Sequence, residues 1–402
     1  MKRTAPDPAT RCMRRRTGRH ILLAAALIGL GACAADPQPI YLGIAGPVSQ
    51  PTGRSLRLAA EMAVAEINEA GGIDGRRLAL VIKDDEARPD RAIEVATELR
   101  NDPRILAVIG HINSAATLAA AEIYNAEENG VVEISPASSS PRVTDAGPWT
   151  FRVCPSDLQH GPVLAEWTYD RLERRKAAIL YANDDYGRGL LGSFGDAFEQ
   201  AGGVLVARDP FLPALMEADD ALDPYLERAI QRGMDALVIA GQAEEGLDIL
   251  RAARRLGYDG PVLGADGITG MKDAGPIANG VFITSAFLPD RPTPEAQAFV
   301  EAYVERYDEL PDHRGAMAYD AIYLLVRALR EVNAVRKQHA EPTLNGARTV
   351  RREIRDYLAT VGRTTPPFEG VSGTIVFDEN GDVAGKDVAV GIIRDGRIVT
   401  AS

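Results

Sequence analysis

From Ile40 to Thr400 the chain alternates short apolar runs of strand character with amphipathic stretches of helical period, and few folds accommodate that alternation. Strands separated by helix-length segments pair in parallel through crossovers, and a parallel sheet must be covered by helices on both faces. IYLGIA, starting at Ile40, leads into a helical stretch from Arg54 to Ala70 with Leu56, Ala60, Ala63 and Ile67 on one face and Gly71-Gly72 at its end. LALVIKD precedes a helix over Pro89 to Arg100, ILAVIG precedes Ala115 to Glu128, and VVEIS completes four strands. A second set follows Cys154-Pro155: AAILYA, VLVA, ALVIA and PVLGA, spaced by helical stretches near Gly189 to Gln200, Leu222 to Arg232 and Glu244 to Leu256. After Val281 to Ala286 the pattern is helical over Glu295 to Tyr307, Ala316 to Val332 and Thr349 to Val361. Three strand-like runs end the chain, and their joints, Asn380-Gly381 and Asp395-Gly396, are hairpin signals.

This order predicts an α/β protein of two doubly wound parallel-sheet lobes: residues 39–156 plus 287–366, and residues 157–286 plus 367–402. No linker rich in Gly, Ser or Pro separates them, so crossings near Pro155, Phe287 and Pro366 form a three-strand hinge. A cleft between hinged lobes is where a small molecule would sit.

Ahead of this region lies a leader. The first twenty residues carry seven basic side chains against one acid, Asp7, and run into the apolar segment Ile21 to Leu30, which is too short for a permanent membrane span. That is the layout of a signal peptide over residues 1–33, and Arg14-Arg15-Arg16 fits a basic n-region as well as a twin-arginine signal. Leu30-Gly31-Ala32-Cys33 resembles a bacterial lipobox, which makes Cys33 the lipidated first residue of an exported protein anchored to an envelope membrane. Removing the leader takes the net charge from −12 to −18, because seven cations and one anion leave with it. So acidic a chain is not a nucleic-acid binder. Cys12 leaves too, Cys33 is taken by lipid, and Cys154 alone remains, so an internal disulfide is excluded. No later stretch is apolar enough to cross a bilayer, which leaves the lipid as the only anchor.

Between Ile105 and Thr144 two apolar runs, ILAVIGH and VVEIS, each break into small hydroxyl residues: Asn113-Ser114-Ala115-Ala116-Thr117 and Pro136-Ala137-Ser138-Ser139-Ser140-Pro141. Strand ends that turn into helix N-termini present unpaired N–H groups and a positive dipole end, so these loops suit a carboxylate head group. Ser114 could equally serve as a helix cap. Gly187 to Gly192 matches GxGxxG, but Asp184 and Asp185 beside it would repel a pyrophosphate. GxSxG, P-loop and HExxH motifs are absent, the five histidines are scattered, and no His or Cys joins the Asp pairs at 84 and 184. His111 reads as a strand-end imidazole, because nothing near it completes a triad with Ser114. The reading is a binding protein with no cofactor or metal, not an enzyme.

GPVSQPTG, AVAEINEAGGIDGRRL, VIKDDEARPDRA, VIGHINSAAT, ISPASSSPRVT, the Asp184 to Gly189 segment, the Gly264 to Gly267 loop and GTIVFDENGD occur in an order that resembles the bacterial extracellular solute-binding proteins for leucine, isoleucine and valine, the type I periplasmic binding fold. The resemblance implies capture of an amino acid or related amide between closing lobes and delivery to an ABC permease. By position it implies that Ser114 and Ser139 hold the ligand carboxylate and that Ala137 offers its carbonyl to the ammonium. It also implies that Asp266 supplies the acid for that ammonium and that Tyr186 closes over the ligand. Two departures concern the side-chain pocket: Gln50-Pro51-Thr52 and Gly241-Gln242-Ala243 lack the aromatics of the leucine-binding branch, and Ala87 and Asn113 replace its cysteine pair. A pocket built with Gln242 and Thr52 need not favour an aliphatic side chain. The same fold also serves ligand-sensing or partner-regulating envelope lipoproteins, which is the alternative to an importer.

Overall fold

The computed structural model describes residues 38–126, 129–212, 220–339 and 347–402. The leader and Cys33 lie outside the described residues. In chain order the first elements are β1 (Ile40–Gly46), α1 (Pro51–Glu69), β2 (Leu78–Asp84), α2 (Pro89–Asn101), β3 (Ile105–Ile109), α3 (Ser114–Tyr124), β4 (Val132–Ser135) and β5 (Thr150–Arg152). Their strands form a parallel sheet in the order β2-β1-β3-β4-β5. Pro51 and Pro89 open α1 and α2, where a missing N–H costs nothing and a fixed φ favours the helix.

The chain then passes through α4 (Asp157–Glu166) into β6 (Lys176–Ala182), α5 (Asp185–Gln200), β7 (Val204–Phe211), α6 (Asp223–Gln231), β8 (Ala236–Ala240), α7 (Ala243–Arg255), β9 (Val262–Gly264), a 3-10 segment over Asp266–Ala278, and β10 (Phe282–Ser285). Three helices follow, α8 (Pro294–Tyr307), α9 (His313–Gln338) and α10 (Ala347–Leu358), then β11 (Phe368–Gly370), β12 (Gly373–Ile375), β13 (Ala389–Arg394) and β14 (Arg397–Thr400). The second sheet runs β14-β13-β10-β9-β8-β6-β7, parallel from β10 to β7 and antiparallel at the β13 and β14 edge. The α/β class with two parallel-sheet halves is therefore the one the alternating pattern predicts.

Burial separates the halves. Leu42, Ile44, Leu56, Ile109 and Ile134 form one core with Met317, Ile322 and Leu325 of α9, so the long helix belongs to the first sheet. Leu180, Leu237, Ile239, Ile249, Val262 and Ile283 form the other.

Two features differ from the sequence expectation. The alternating pattern places the segment after Pro366 with the second half, whereas Ile375, Phe377 and Val383 pack into the first core, with Phe377 edge-on to Phe151 at 5.1 Å between centroids. Ile375 and Phe377 alternate on one face of an extended chain, and that apolar pair finds its cover on β5. The third crossing thus falls between Val383 and Ala389, around the buried Lys386. In addition, α4 has no counterpart among the expected helices, because Gly161 and Pro162 inside it read as breakers; it is held by a Ser156–Gln159 capping box.

Candidate ligand-binding cleft

One wall is the end of the first sheet. Asn113, extended at φ −97°, is the N-cap residue of α3, and the first intrahelical bond is Thr117 N–H to the Asn113 carbonyl at 2.9 Å. The N–H groups of Ser114, Ala115 and Ala116 therefore have no carbonyl within the helix. Ser114 is not the cap: its Oγ accepts the Ser140 N–H at 3.2 Å, and the Thr117 and Ser138 hydroxyls meet at 2.7 Å, so the two hydroxyl loops are tied to each other. Beneath them lies the buried Arg152. It donates through Nη1 to the Ser140 and Ser138 carbonyls (2.8 and 3.3 Å) and through Nη2 to Thr144 Oγ1 and Asp382 Oδ2 (2.8 and 2.5 Å).

The other wall belongs to the second sheet. Asp184 caps α5 by accepting the Gly187 N–H at 2.8 Å, which fixes Tyr186 so that its hydroxyl accepts the Gly267 N–H at 3.2 Å. Asp266 is 3% exposed. Its Oδ2 has no hydrogen-bond partner and faces His160 Nε2 at 3.6 Å and His313 Nε2 at 3.8 Å. Burial pushes His313 down to about 4, with Arg314 adding to the effect, and burial also lowers His160. Burial holds the Asp157 carboxyl well above the usual carboxylate range, with Asp266 adding to it. Arg314 Nη1 reaches both Thr269 Oγ1 and Asp312 Oδ2 at 3.0 Å, tying the start of α9 to the 3-10 segment.

Ser114, Ala137, Tyr186, Gln242 and Asp266 line one cavity of about 60 Å³, together with Asn113, His313 and Arg314. Ser139 stands outside that wall. Its buried hydroxyl lies beside the Asp157 carboxyl, with neither group completing a hydrogen bond, while its carbonyl accepts the Asp157 N–H at 2.7 Å. The cavity adjoins a groove of about 660 Å³ with which it shares Ala87, Asn113, Gln242 and Arg314. Thr52, Glu245, Glu309 and Lys272 line that groove with Leu310 and Met271. Gln242 is the N-cap residue of α7, in a reciprocal capping box with Glu245. Among the described residues no group of three or more His, Cys, Asp and Glu is placed to hold a metal ion.

Sequence reasoning missed His160, His313, Arg314 and Asp157. The two histidines lie 153 positions apart in the chain, on an unexpected helix and on a turn of α9 earlier than expected. Asp312 followed by His-Arg-Gly was a readable cap, since its carboxylate accepts the Gly315 N–H at 3.1 Å. Gly187 and Gly189 of the GxGxxG match sit inside α5. A Cβ on Gly187 would come within 2.1 Å of the Ala182 carbonyl oxygen, so helix packing accounts for that glycine.

Fold and site together define a two-sheet α/β protein with a polar cleft sized for the head group of a small molecule. Residues 40–397 match the periplasmic binding protein family, and the chain belongs to it. A Leu/Ile/Val-binding protein homolog 1 of Brucella suis is 28% identical over 92% of this chain and 94% of its own. An ABC transporter substrate-binding protein of Desulfitobacterium hafniense, solved with Leu, superimposes with a TM-score of 0.74 at 32% identity, covering 91% of this chain and 100% of its own. LivJ of Streptococcus pneumoniae, a branched-chain amino acid transporter substrate-binding protein in complex with isoleucine, gives 0.77 at 27% identity over 90% and 99%. The relatives are binding proteins, and the family is non-catalytic.

Proposed function

We propose that this protein is the lipid-anchored substrate-binding component of an ABC importer, capturing an amino acid or small amide between its two halves and presenting it to a permease. The observation that carries the reading is the pairing, across one small cavity, of a helix N-terminus with the buried and unpartnered Asp266 carboxylate. A desolvated zwitterion needs donors at one end and an acid at the other, because each uncompensated charge costs several kcal/mol. The N–H groups at the start of α3 and the Ser114 hydroxyl take the carboxylate; Asp266 and the Ala137 carbonyl take the ammonium; Tyr186 covers the ligand. Ser139 contributes through the loop it shapes. Thr52 and Gln242 in place of aromatics in the adjoining groove favour a polar side chain over leucine, since desolvating polar groups against a hydrocarbon loses affinity.

A thermal-shift screen of the mature chain, unfolded and refolded to remove bound ligand, tests this against the standard amino acids, their amides and short carboxylates. A ligand at a hundred times its Kd adds about 2.7 kcal/mol of stability. A polar amino acid is expected to give the largest shift, and no shift with any compound overturns the reading. For the anchor, Cys33→Ala in the full-length precursor is expected to release the protein from the membrane fraction; unchanged membrane association overturns lipidation.

A further inference from the structure

Without its leader the chain carries a net charge of −18, yet its cations are not evenly spread. Residues 70–77, 100–104, 330–339 and 347–353 hold ten Arg and Lys side chains against four Asp and Glu. The fold gathers these four segments at one end of the first sheet. The parallel strands β1, β2 and β3 start there, at Ile40, Leu78 and Ile105, while Asn113, Ser114 and Ala137 of the cleft follow the opposite ends of β3 and β4.

The buried Arg351 pins the start of α10 to this end: its Nε donates to the Ile105 carbonyl and its Nη2 to the Asp102 carbonyl, both at 2.8 Å. The last turns of α9 are tied in by Lys337 Nζ, 2.8 Å from Asp74 Oδ2, and by Arg330, whose Nη2 donates to the Gly72 carbonyl at 3.4 Å. Of the four acids, Asp74 is taken by Lys337, Asp102 by Arg104 and Glu353 by Arg336, which leaves Glu331. Arg77, Arg348 and Arg352 are exposed and enter no ion pair among the described residues. Arg348 and Arg352 stand one turn apart on the same side of α10, where like charges repel and an external anionic surface relieves them. Val335, 53% exposed, adds an apolar side chain to the turns of α9 that carry Lys337.

The chain enters the fold at this same end. Ile40 N–H donates to the Arg77 carbonyl at 2.8 Å, and Arg76 Nη2 donates to the Pro39 carbonyl at 3.4 Å. Six residue steps separate Pro39 from Cys33, and a chain of that length reaches at most about 20 Å. A lipid on Cys33 therefore keeps these arginines at high effective concentration beside the headgroups.

We propose that this basic end of the first half docks on an anionic phospholipid surface, with Arg77, Arg348 and Arg352 meeting lipid phosphates and Val335 entering the headgroup layer. The proposal rests on the anchor proposed at Cys33, which selects a bilayer over other polyanions as the occupant. β1 spans seven residues, about 20 Å, between this end and the cleft. In the docked pose the first wall of the cleft faces away from the membrane, open to incoming ligand, and delivery to a permease in that membrane requires release. A contact held by charge permits release, since each Arg or Lys at an anionic surface contributes only about fivefold in affinity.

Cosedimentation with large vesicles tests this. Residues 34–402 without acyl groups are expected to bind phosphatidylglycerol-containing vesicles at low salt and to be released in half-molar salt, with no binding to pure phosphatidylcholine. Arg77→Gln, Arg348→Gln and Arg352→Gln together are expected to weaken binding roughly a hundredfold with the urea midpoint unchanged. Arg208→Gln, Arg251→Gln and Arg255→Gln in the second half should leave it within about twofold. In the acylated protein, a fluorophore at Val335→Cys should be quenched by brominated phosphatidylglycerol, and one at Leu158→Cys, near the cleft, should not; the native Cys154 is buried and escapes labelling. Equal binding to both lipids, equal losses from the two triple variants, or equal quenching at the two positions overturns the proposal. Absence of vesicle binding at low salt also overturns it and leaves this surface to an acidic protein. The unacylated chain reads the surface without Cys33, so failure of the anchor and failure of this docking are separate results.

Discussion

Asp266 and Arg152 are buried charges in opposite surroundings, the first proposed to serve binding and the second tied into the fold. Asp266 Oδ2 is buried without a hydrogen-bond partner, and the residue lines the cavity. Arg152 is engaged through both Nη atoms, with four acceptors drawn from the serine loop, Thr144 and the Asp378–Asp382 turn. Asp266→Asn removes the charge but keeps the volume. It is expected to weaken amino-acid binding by roughly 2–4 kcal/mol, or about 30- to 1000-fold, while simple carboxylates lose far less; calorimetry with both ligand types checks the difference, and equal losses would remove Asp266 from the ammonium role. Arg152→Met instead leaves Asp382 without its cation, paired still with the Thr144 hydroxyl, and takes a donor from the Ser138 and Ser140 carbonyls. It should lower stability by about 3–5 kcal/mol, read as a shift in urea midpoint.

At the scale of elements, the sequence was legible wherever helix and strand periods ran uninterrupted. The helices α1, α2, α7 and α8 begin within three residues of the expected positions, because proline or capping residues punctuate them. The failures have physical causes. Gly161 and Pro162 hid α4, and with it His160; burial of Asp266 depends on packing that no local period records. The role of Ser114 also needed structure, since only the observed N-cap at Asn113 separates loop-tying from capping. Packing likewise explains Gly187: at its position in α5 a methyl group would sit 2.1 Å from the Ala182 carbonyl oxygen at the end of β6. Gly187→Ala should push the start of α5 away from the sheet. The expected cost is roughly 1–3 kcal/mol of stability together with weaker ligand binding, because Tyr186 moves with that helix turn. Binding preserved at full affinity in a destabilised variant would show that Tyr186 does not cover the ligand.

For the whole molecule, two separately cored halves have to be held in register. The chain crosses between them near Cys154, near Phe287 and around Lys386, and all three residues are buried. At the third crossing Lys386 Nζ donates to Ser372 Oγ at 2.6 Å, and the Ser372 hydroxyl donates in turn to Asp320 Oδ2 of α9. The Val371 and Ser372 N–H groups complete that carboxylate at 2.7 and 2.9 Å, and Gln159 of α4 donates to the Lys386 carbonyl at 3.1 Å. Burial pulls Lys386 down to about 8 and raises Asp320, so desolvation outweighs the attraction between them and the pair secures geometry more than it adds stability. Because the lysine is depressed in the folded state, the unfolded chain binds more protons between pH 8 and 10.5. Stability attributable to this residue should therefore rise by about 3 kcal/mol as pH climbs through that window, and stay at its lower level below pH 8. Lys386→Met should abolish that slope. At pH 7 it should also cost about 2–4 kcal/mol by leaving Asp320 uncompensated, and adding Asp320→Asn should recover much of the loss, with a coupling of roughly 1–3 kcal/mol in a double-mutant cycle of urea unfolding. Additive losses would mean that Lys386 and Asp320 act independently, and the register of the two halves would then have to rest on apolar contacts at the crossings alone.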